Sequence, residues 1–441
     1  MNWIIRDARL CLPSGEKEGD AWIKDGRWAA FGRIPERAAG ASLSAQGAYL
    51  LPGLIDTHVH FRDLGFSQKG TFYTESRAAL AGGVTTAFDM PNTMPPTTTI
   101  TQWEEKMKRA AFRSWTNYAF YFGATEANIE EIKRLSPLQV PGVKVFLASS
   151  TGELLVTDEK VVRHLLQESP VRLVFHSEKE SLIQQAQKTW TGADWEQIPD
   201  LHTRMRPPEA CIESTRWLLS EARRTSIPIH ILHITTAEEV KLLRERPPYV
   251  SAETCPTYLQ WSAEDFPQYR NFLKCNPSLK SAADQEALWQ GIIEGTLEVI
   301  GTDHAPHLWT EKVRPYAEAP SGIPLHGALL PWLWTLGRAR GLSLSFWIEK
   351  MVYAPVRLWK IQERGGLQEG NWADAVLFQP MGQTCVPPPR SPLHYSRVAW
   401  SPLFGMPLEG RVEAVWVNGV LSFYQGRFYA QPAGRAVAFE Q

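Results

Sequence analysis

Residues 49–61 read YLLPGLIDTHVHF, an apolar run with two histidines two positions apart near its far end. A short run with so few charges suits a strand buried on both faces. Seven more stretches share the texture: VTTAFDMPN (84–92), YAFYFGAT (118–125), GVKVFLAS (142–149), RLVFHSE (172–178), IPIHILHIT (227–235), YVSAETCP (249–256) and LEVIGTDHAP (297–306). Amphipathic segments lie between them, from TESRAALAGG and TQWEEKMKRAAFRSW through NIEEIKRLS, DEKVVRHLLQES, CIESTRWLLSEARRT and AEEVKLLRER to ADQEALWQGIIEG. Eight strands alternating with seven helices over about 260 residues predict an α/β chain built on a (β/α)8 TIM barrel. A doubly wound sheet fits the alternation too, but gives no reason for what the strand ends carry.

Outside this region the texture changes. WIIRDARL and GDAWIKDGRWAAFG before it, and GNWADAVLFQP and GRVEAVWVNGVLSFYQGRF after it, read as short strands broken by turns. The expectation is a barrel over 51–364 and one small composite β-sandwich domain from 1–50 and 365–441. With 46 Lys+Arg against 47 Asp+Glu, the chain has no global field that would draw nucleic acid or an anionic membrane. Five scattered cysteines without a C-x-x-C pair support neither a zinc ribbon nor a disulfide framework. MNWIIRDARLCLPSGEKEGDAW lacks the apolar core of a secretory leader, and no run of about 18 apolar residues occurs. A cytoplasmic protein acting on a small molecule is expected.

The candidate chemistry sits where barrels keep it, at the C-terminal ends of strands. His58 and His60, two apart on a strand, share a face and can grip one ion. His176 ends the fifth strand, His233 the sixth, and Asp303 follows the eighth. His230, three residues before His233 and on the other face, reads as a packing residue. The joint occurrence at one end of the barrel predicts a metal site. Lys144 lies among Val143, Val145, Phe146 and Leu147 on the fourth strand. Burial favours its neutral amine, which can add carbon dioxide to give a carbamate able to bridge two ions. A lysine reaching from the strand end to a carboxylate is an equal reading of the same spacing.

These motifs resemble the amidohydrolase superfamily, and in detail the dihydroorotases within it. PGLIDTHVHFRD, AGGVTTAFDMPNT, KVFLASSTG and GTDHAPH match the family's signatures in order, between about residues 50 and 330. The resemblance implies two Zn2+ per chain. His58, His60 and Asp303 would bind one, His176 and His233 the other, with carboxylated Lys144 bridging. It implies Asp303 as general acid/base in a reversible cyclic-amide hydrolysis by a metal-activated water. It further implies a carboxylate pocket of Arg62, Asn92 and His307, a ring contact from Asn276, and a loop whose Ser321 and Gly322 backbone groups face the ring. Homodimers are frequent among such relatives.

The chain also departs from the family. Asp63-Leu64-Gly65 stands where Glu-Pro-Gly is common, Pro256-Thr257 where Pro-His is frequent, and NPSLK where Asn-Pro-Pro-Leu-Arg recurs. These are loop positions, so they bear on specificity more than on chemistry. Allantoinase, hydantoinase or dihydropyrimidinase activity and a non-catalytic scaffold are the alternatives. Arg62, just after the His-x-His, favours dihydroorotase over the hydantoinases.

Overall fold

Gly53 divides the 49–61 run between two sheets. Tyr49–Pro52 and Leu54–Val59 are separate strands, not the one continuous strand that the unbroken apolar pattern predicts. A Cβ at position 53 would lie 2.1 Å from Thr85 Oγ1, so only glycine lets the chain pass this close to its neighbour. The computed structural model describes residues 2–35, 38–150, 154–429 and 431–440, which leaves the Thr151–Gly152 end of KVFLASSTG outside.

Eight parallel strands form the barrel: β1 (Leu54–Val59), β2 (Val84–Asp89), β3 (Asn117–Phe120, resumed at Phe122–Gly123), β4 (Val143–Phe146), β5 (Leu173–His176), β6 (Ile229–Ile231), β7 (Val250–Thr254) and β8 (Val299–Ile300). Pairing runs β1–β2–β3 in one arc and from the second half of β3 to β8 in the other. A parallel bridge between Val59 and His304 joins the last strand to the first. Every residue of these strands is buried, as their alternation-free apolar pattern requires.

Each predicted helix is present, and side chains set where several begin. Thr71, Thr99, Thr236 and Ser281 each cap a helix: the side chain accepts from the backbone N–H three positions on, and the cap's own N–H donates back to that residue's side chain. The structure adds Glu180–Thr189 and Leu201–Met205 in the long β5–β6 connection, and Leu329–Arg338 after β8. Among the described residues no helix is long and apolar enough to cross a membrane.

The chain's two ends meet in a nine-stranded, mostly β unit. Tyr49–Pro52 lies near its middle, antiparallel to Ala375–Thr384 and parallel to Trp3–Leu12. Beyond these stand Gly15–Lys24 and Arg27–Gly32 on one side, and Leu408–Val417, Val420–Tyr424 and Arg427–Phe428 on the other. Ile5, Leu10, Trp28, Leu50, Leu377 and Trp416 make its own apolar core.

A buried polar knot ties this unit to the barrel. Asp374 Oδ2 accepts from Asn117 Nδ2 of β3 at 3.0 Å and from Arg364 Nη1 at 2.5 Å, while Oδ1 accepts from Asn418 N at 2.7 Å. Asn418 Nδ2 returns to Asn117 Oδ1 at 2.8 Å. Removing Asp374 leaves the buried Arg364 guanidinium without its counter-ion. Asp374→Ala is expected to lower unfolding free energy by about 3–5 kcal/mol in urea titrations; a loss below about 1 kcal/mol would contradict the role given to the knot.

Candidate active site and metal centre

The ends of β1 and β8 deliver three ligand atoms to one point. Asp303 Oδ1 lies 2.9 Å from His60 Nε2 and 3.3 Å from His58 Nε2. His58, His60 and Asp303 together form a group whose ligand atoms lie within 4.8 Å of one another. The opposite ring nitrogens are already held. His58 Nδ1 meets Glu253 Oε1 at 2.6 Å, and His60 Nδ1 meets Asn92 Oδ1 at 2.7 Å. Both partners are acceptors, so each histidine carries its proton on Nδ1 and turns the Nε2 lone pair toward Asp303. Outer acceptors of this kind orient metal-binding histidines.

Electrostatics agree with that protonation. Burial lowers His58 and His60 to about 4, which keeps both imidazoles neutral near pH 7. Burial alone would raise the Asp303 carboxyl; a proton taken up by His58, His60 or His233 opposes this, so the direction for Asp303 is downward once the neighbouring rings share protons with it. Two neutral imidazoles facing one carboxylate are a donor set that zinc and similar divalent ions accept.

His233 and His176 lie beside this group. The His233 ring centroid is 5.5 Å from that of His58 and 4.7 Å from that of His176. His176 Nε2 is bonded to Glu178 Oε2 at 2.8 Å, leaving Nδ1 as its available ligand atom. Arg206 clamps the same Glu178 carboxylate with Nη2 at 2.5 Å. His233 Nδ1 is buried with no hydrogen-bond partner among the described residues, an open demand that an ion or water can meet. His230, by contrast, has both ring nitrogens engaged, with Ser251 Oγ at 2.8 Å and Glu253 Oε2 at 3.2 Å.

Lys144 is 1% exposed on β4, and its charge bears on His58, His176 and His233 together. Among the described residues its Nζ makes no hydrogen bond or ion pair, and it lies 4.5 Å from the centre of the Phe146 ring. Burial pushes its pKa down to about 7. Such a lysine stays partly neutral at physiological pH.

Next to the ligand group lies a buried cation, Arg62, which feels the Asp303 charge. Arg62 is 3% exposed, and its Nη2 lies 3.3 Å from His307 Nε2. Its Nε and Nη1 are buried without hydrogen-bond partners among the described residues. Asn276 Oδ1 is likewise buried and unpartnered among them. Gly322 spends its N–H on the Lys274 carbonyl at 2.9 Å and its own carbonyl on Lys312 Nζ at 3.0 Å, and Ser321, its neighbour, is half-buried. Asn92 faces His60, as above. Arg62, His233 and Asp303 all sit in the left-handed region, with φ of 63°, 39° and 51°. Such backbone costs non-glycine residues energy and recurs where side chains must be aimed.

Besides Glu178 and Arg206, three supporting residues escaped the sequence reading. Glu253, inside β7, is 0% exposed and serves both His58 and His230. Its signal, a lone acid in an apolar strand, is the one that singled out Lys144. Asp89 accepts from Phe61 N at 2.7 Å and pairs with the buried Lys106 at 2.7 Å, fixing the chain between His60 and Arg62. Lys69 reaches His307 from a loop with no pattern to announce it.

A family model described as the amidohydrolase family matches residues 49–421. An allantoinase of Streptomyces avermitilis is 31% identical over 99% of this chain and 98% of its own. A dihydroorotase of Methanosarcina acetivorans is 29% identical over 96% of this chain and 94% of its own. A solved structure of the L-hydantoinase (dihydropyrimidinase) from Arthrobacter aurescens superposes with a TM-score of 0.91 at 27% identity, over 99% of each chain.

The buried histidines make the fold sensitive to acid. His58 and His60 bind protons less readily folded, at about 4, than unfolded, at the ordinary 6.5. Their stabilisation is therefore full above about pH 6.5 and is lost as pH falls toward 4. For metal-free protein both groups act in the same direction within that window. The urea midpoint should drop sharply between pH 7 and pH 5; an unchanged midpoint would refute the neutral-histidine assignment.

Proposed function

The chain belongs to the amidohydrolase family, and on that premise we propose that it is a dihydroorotase, interconverting N-carbamoyl-L-aspartate and L-dihydroorotate in pyrimidine biosynthesis. Hydrolysis of a cyclic amide is common to the activities named for its relatives. The choice among them turns on charge, because dihydroorotate carries a carboxylate on its ring while allantoin and hydantoin do not.

The observation that carries the choice is the incompletely paired guanidinium of Arg62. A buried charged group lacking partners is costly, and a carboxylate can accept two parallel hydrogen bonds from it. Through-space attraction from Asp303, Asp89 and Glu311 offsets part of the cost, yet burial still lowers Arg62 to about 10. A neutral ureide would leave that demand unmet. Asn276 Oδ1 suits a ring N–H, and Ser321 stands on the loop expected to face the ring. The 31% identity to an allantoinase supports the second reading, a neutral-ring amidohydrolase.

On this proposal His58, His60 and Asp303 would hold one divalent ion, zinc by their donor chemistry, His176 and His233 would hold a second, and carboxylated Lys144 would be a further ligand. Bound there, the ions supply Lewis-acid polarisation of a ring carbonyl and an acidified water. The protein's own task is positioning and proton traffic. Water adds across the ring's amide bond, its oxygen going to the carbonyl carbon and a proton to the departing nitrogen. Asp303, kept ionised, accepts that proton at a carboxylate oxygen and returns it to the nitrogen. In the reverse direction the same carboxylate takes the proton back from the carbamoyl nitrogen. The apolar bed of Lys144 favours the neutral amine that adds carbon dioxide, releasing one proton as the N–C bond forms.

Metal-loaded protein is expected to process L-dihydroorotate with a kcat/KM at least about 100-fold above that for allantoin or hydantoin; the opposite order would establish the second reading. Arg62→Met should cost about 100-fold or more on dihydroorotate and little on a neutral ring. Lys144→Met should lower bound metal from about two ions per chain toward one, measured by mass spectrometry; an unchanged metal content would remove Lys144 from the site.

A further inference from the structure

His307 has a cation against each of its ring nitrogens, and it can accept from only one of them. Lys69 Nζ lies 3.0 Å from Nδ1, and Arg62 Nη2 lies 3.3 Å from Nε2. A guanidinium and an ammonium only donate, while a neutral imidazole accepts at one nitrogen and carries its hydrogen on the other. A third positive charge between two cations is disfavoured, and burial also holds His307 well below the usual imidazole range. One of the two contacts must then set N–H against N–H.

The surroundings decide which. Lys69 Nζ is paired with Glu311 Oε1 at 2.9 Å, and Glu311 Oε2 accepts from Leu308 N at 2.9 Å. This anchored carboxylate keeps Lys69 an ammonium that must donate. The lysine contact is also the shorter of the two, so a donor–donor clash there would be the more costly. Trp400 Nε1 donates to the His307 carbonyl at 2.7 Å, so the backbone beneath the ring is fixed.

We propose that Lys69, held by Glu311, is a positioning residue that keeps the His307 proton on Nε2, so that this N–H and the unpaired N–H groups of Arg62 together form a cradle that an anionic group completes. The ion pair thereby sets specificity for a charged ring substituent without touching the reacting atoms. Without Lys69, Arg62 would donate to Nε2, and the Nδ1 proton would turn to Glu311 Oε2, 3.8 Å away. Arg62 would then be partly satisfied by the protein itself. The inference rests on the reading of Arg62 as the carboxylate site, but the tautomer can be observed without turnover.

The test is a long-range 1H–15N correlation spectrum of the full chain with ring-labelled histidine, ligand-free, with His307 assigned by comparison with His307→Asn. Wild type is expected to carry the proton on Nε2. Lys69→Met should move it to Nδ1 and raise KM for L-dihydroorotate about tenfold or more, with a smaller change in kcat, and Lys69→Arg should restore both. Should Lys69→Met fail to fold, Glu311→Gln, which removes the anion that keeps Lys69 charged, should produce the same shift. A wild-type proton on Nδ1, or a tautomer unmoved by these variants, overturns the proposal. An Nε2 proton in a protein that rejects dihydroorotate would leave the tautomer assignment standing and defeat only the substrate reading.

Discussion

Glu253 is a buried carboxylate that accepts from His58 Nδ1 at 2.6 Å with one oxygen and meets His230 Nε2 at 3.2 Å with the other. A carboxylate so deep in an apolar barrel is tolerable only while both oxygens are satisfied. Meeting that demand orients the first histidine of the His-x-His pair and leaves its Nε2 lone pair facing Asp303. The backbone makes room for it: a Cβ on Gly301 would lie 2.4 Å from Glu253 Oε2. Thus β7, which presents no ligand of its own, aims the ligand of β1, and the turn after β8 must be glycine for that to happen.

The rest of the mouth follows the same physical rule, that each buried charge is either paired or left open for a purpose. Glu178 is clamped by Arg206 and holds His176, while Asp89 is held by Lys106 and fixes the chain entering Arg62. Lys144, His233 Nδ1 and two nitrogens of Arg62 lack such partners among the described residues. The first two border the ligand group, and the third lies close enough to it to feel the Asp303 charge.

Much of this was legible in the sequence. Strand–helix alternation gave the barrel because parallel strands buried on both faces must be apolar throughout, and that pattern needs no tertiary information. His58, His60, His176, His233 and Asp303 stood out by their place at the C-terminal ends of strands, and Lys144 by its apolar neighbours. The break at Gly53 did not, because apolar residues continue on both sides and only the approach of Thr85 reveals the turn. Glu253 carried a local signal, a lone acid in an apolar strand, but not the identity of the histidines it serves, and Lys69 carried none. Their importance lies in partners 195 and 238 positions away, which no local spacing can encode.

A crystal structure of the metal-loaded protein with L-dihydroorotate bound is the most direct test of the central claim, that the open guanidinium of Arg62 is built for a carboxylate. The account predicts the substrate carboxylate within hydrogen-bond distance of Arg62 Nε and Nη1 and of His307 Nε2, with the ring amide over Asp303. A ring bound with its carboxylate toward solvent, and Arg62 still unpaired, would contradict it.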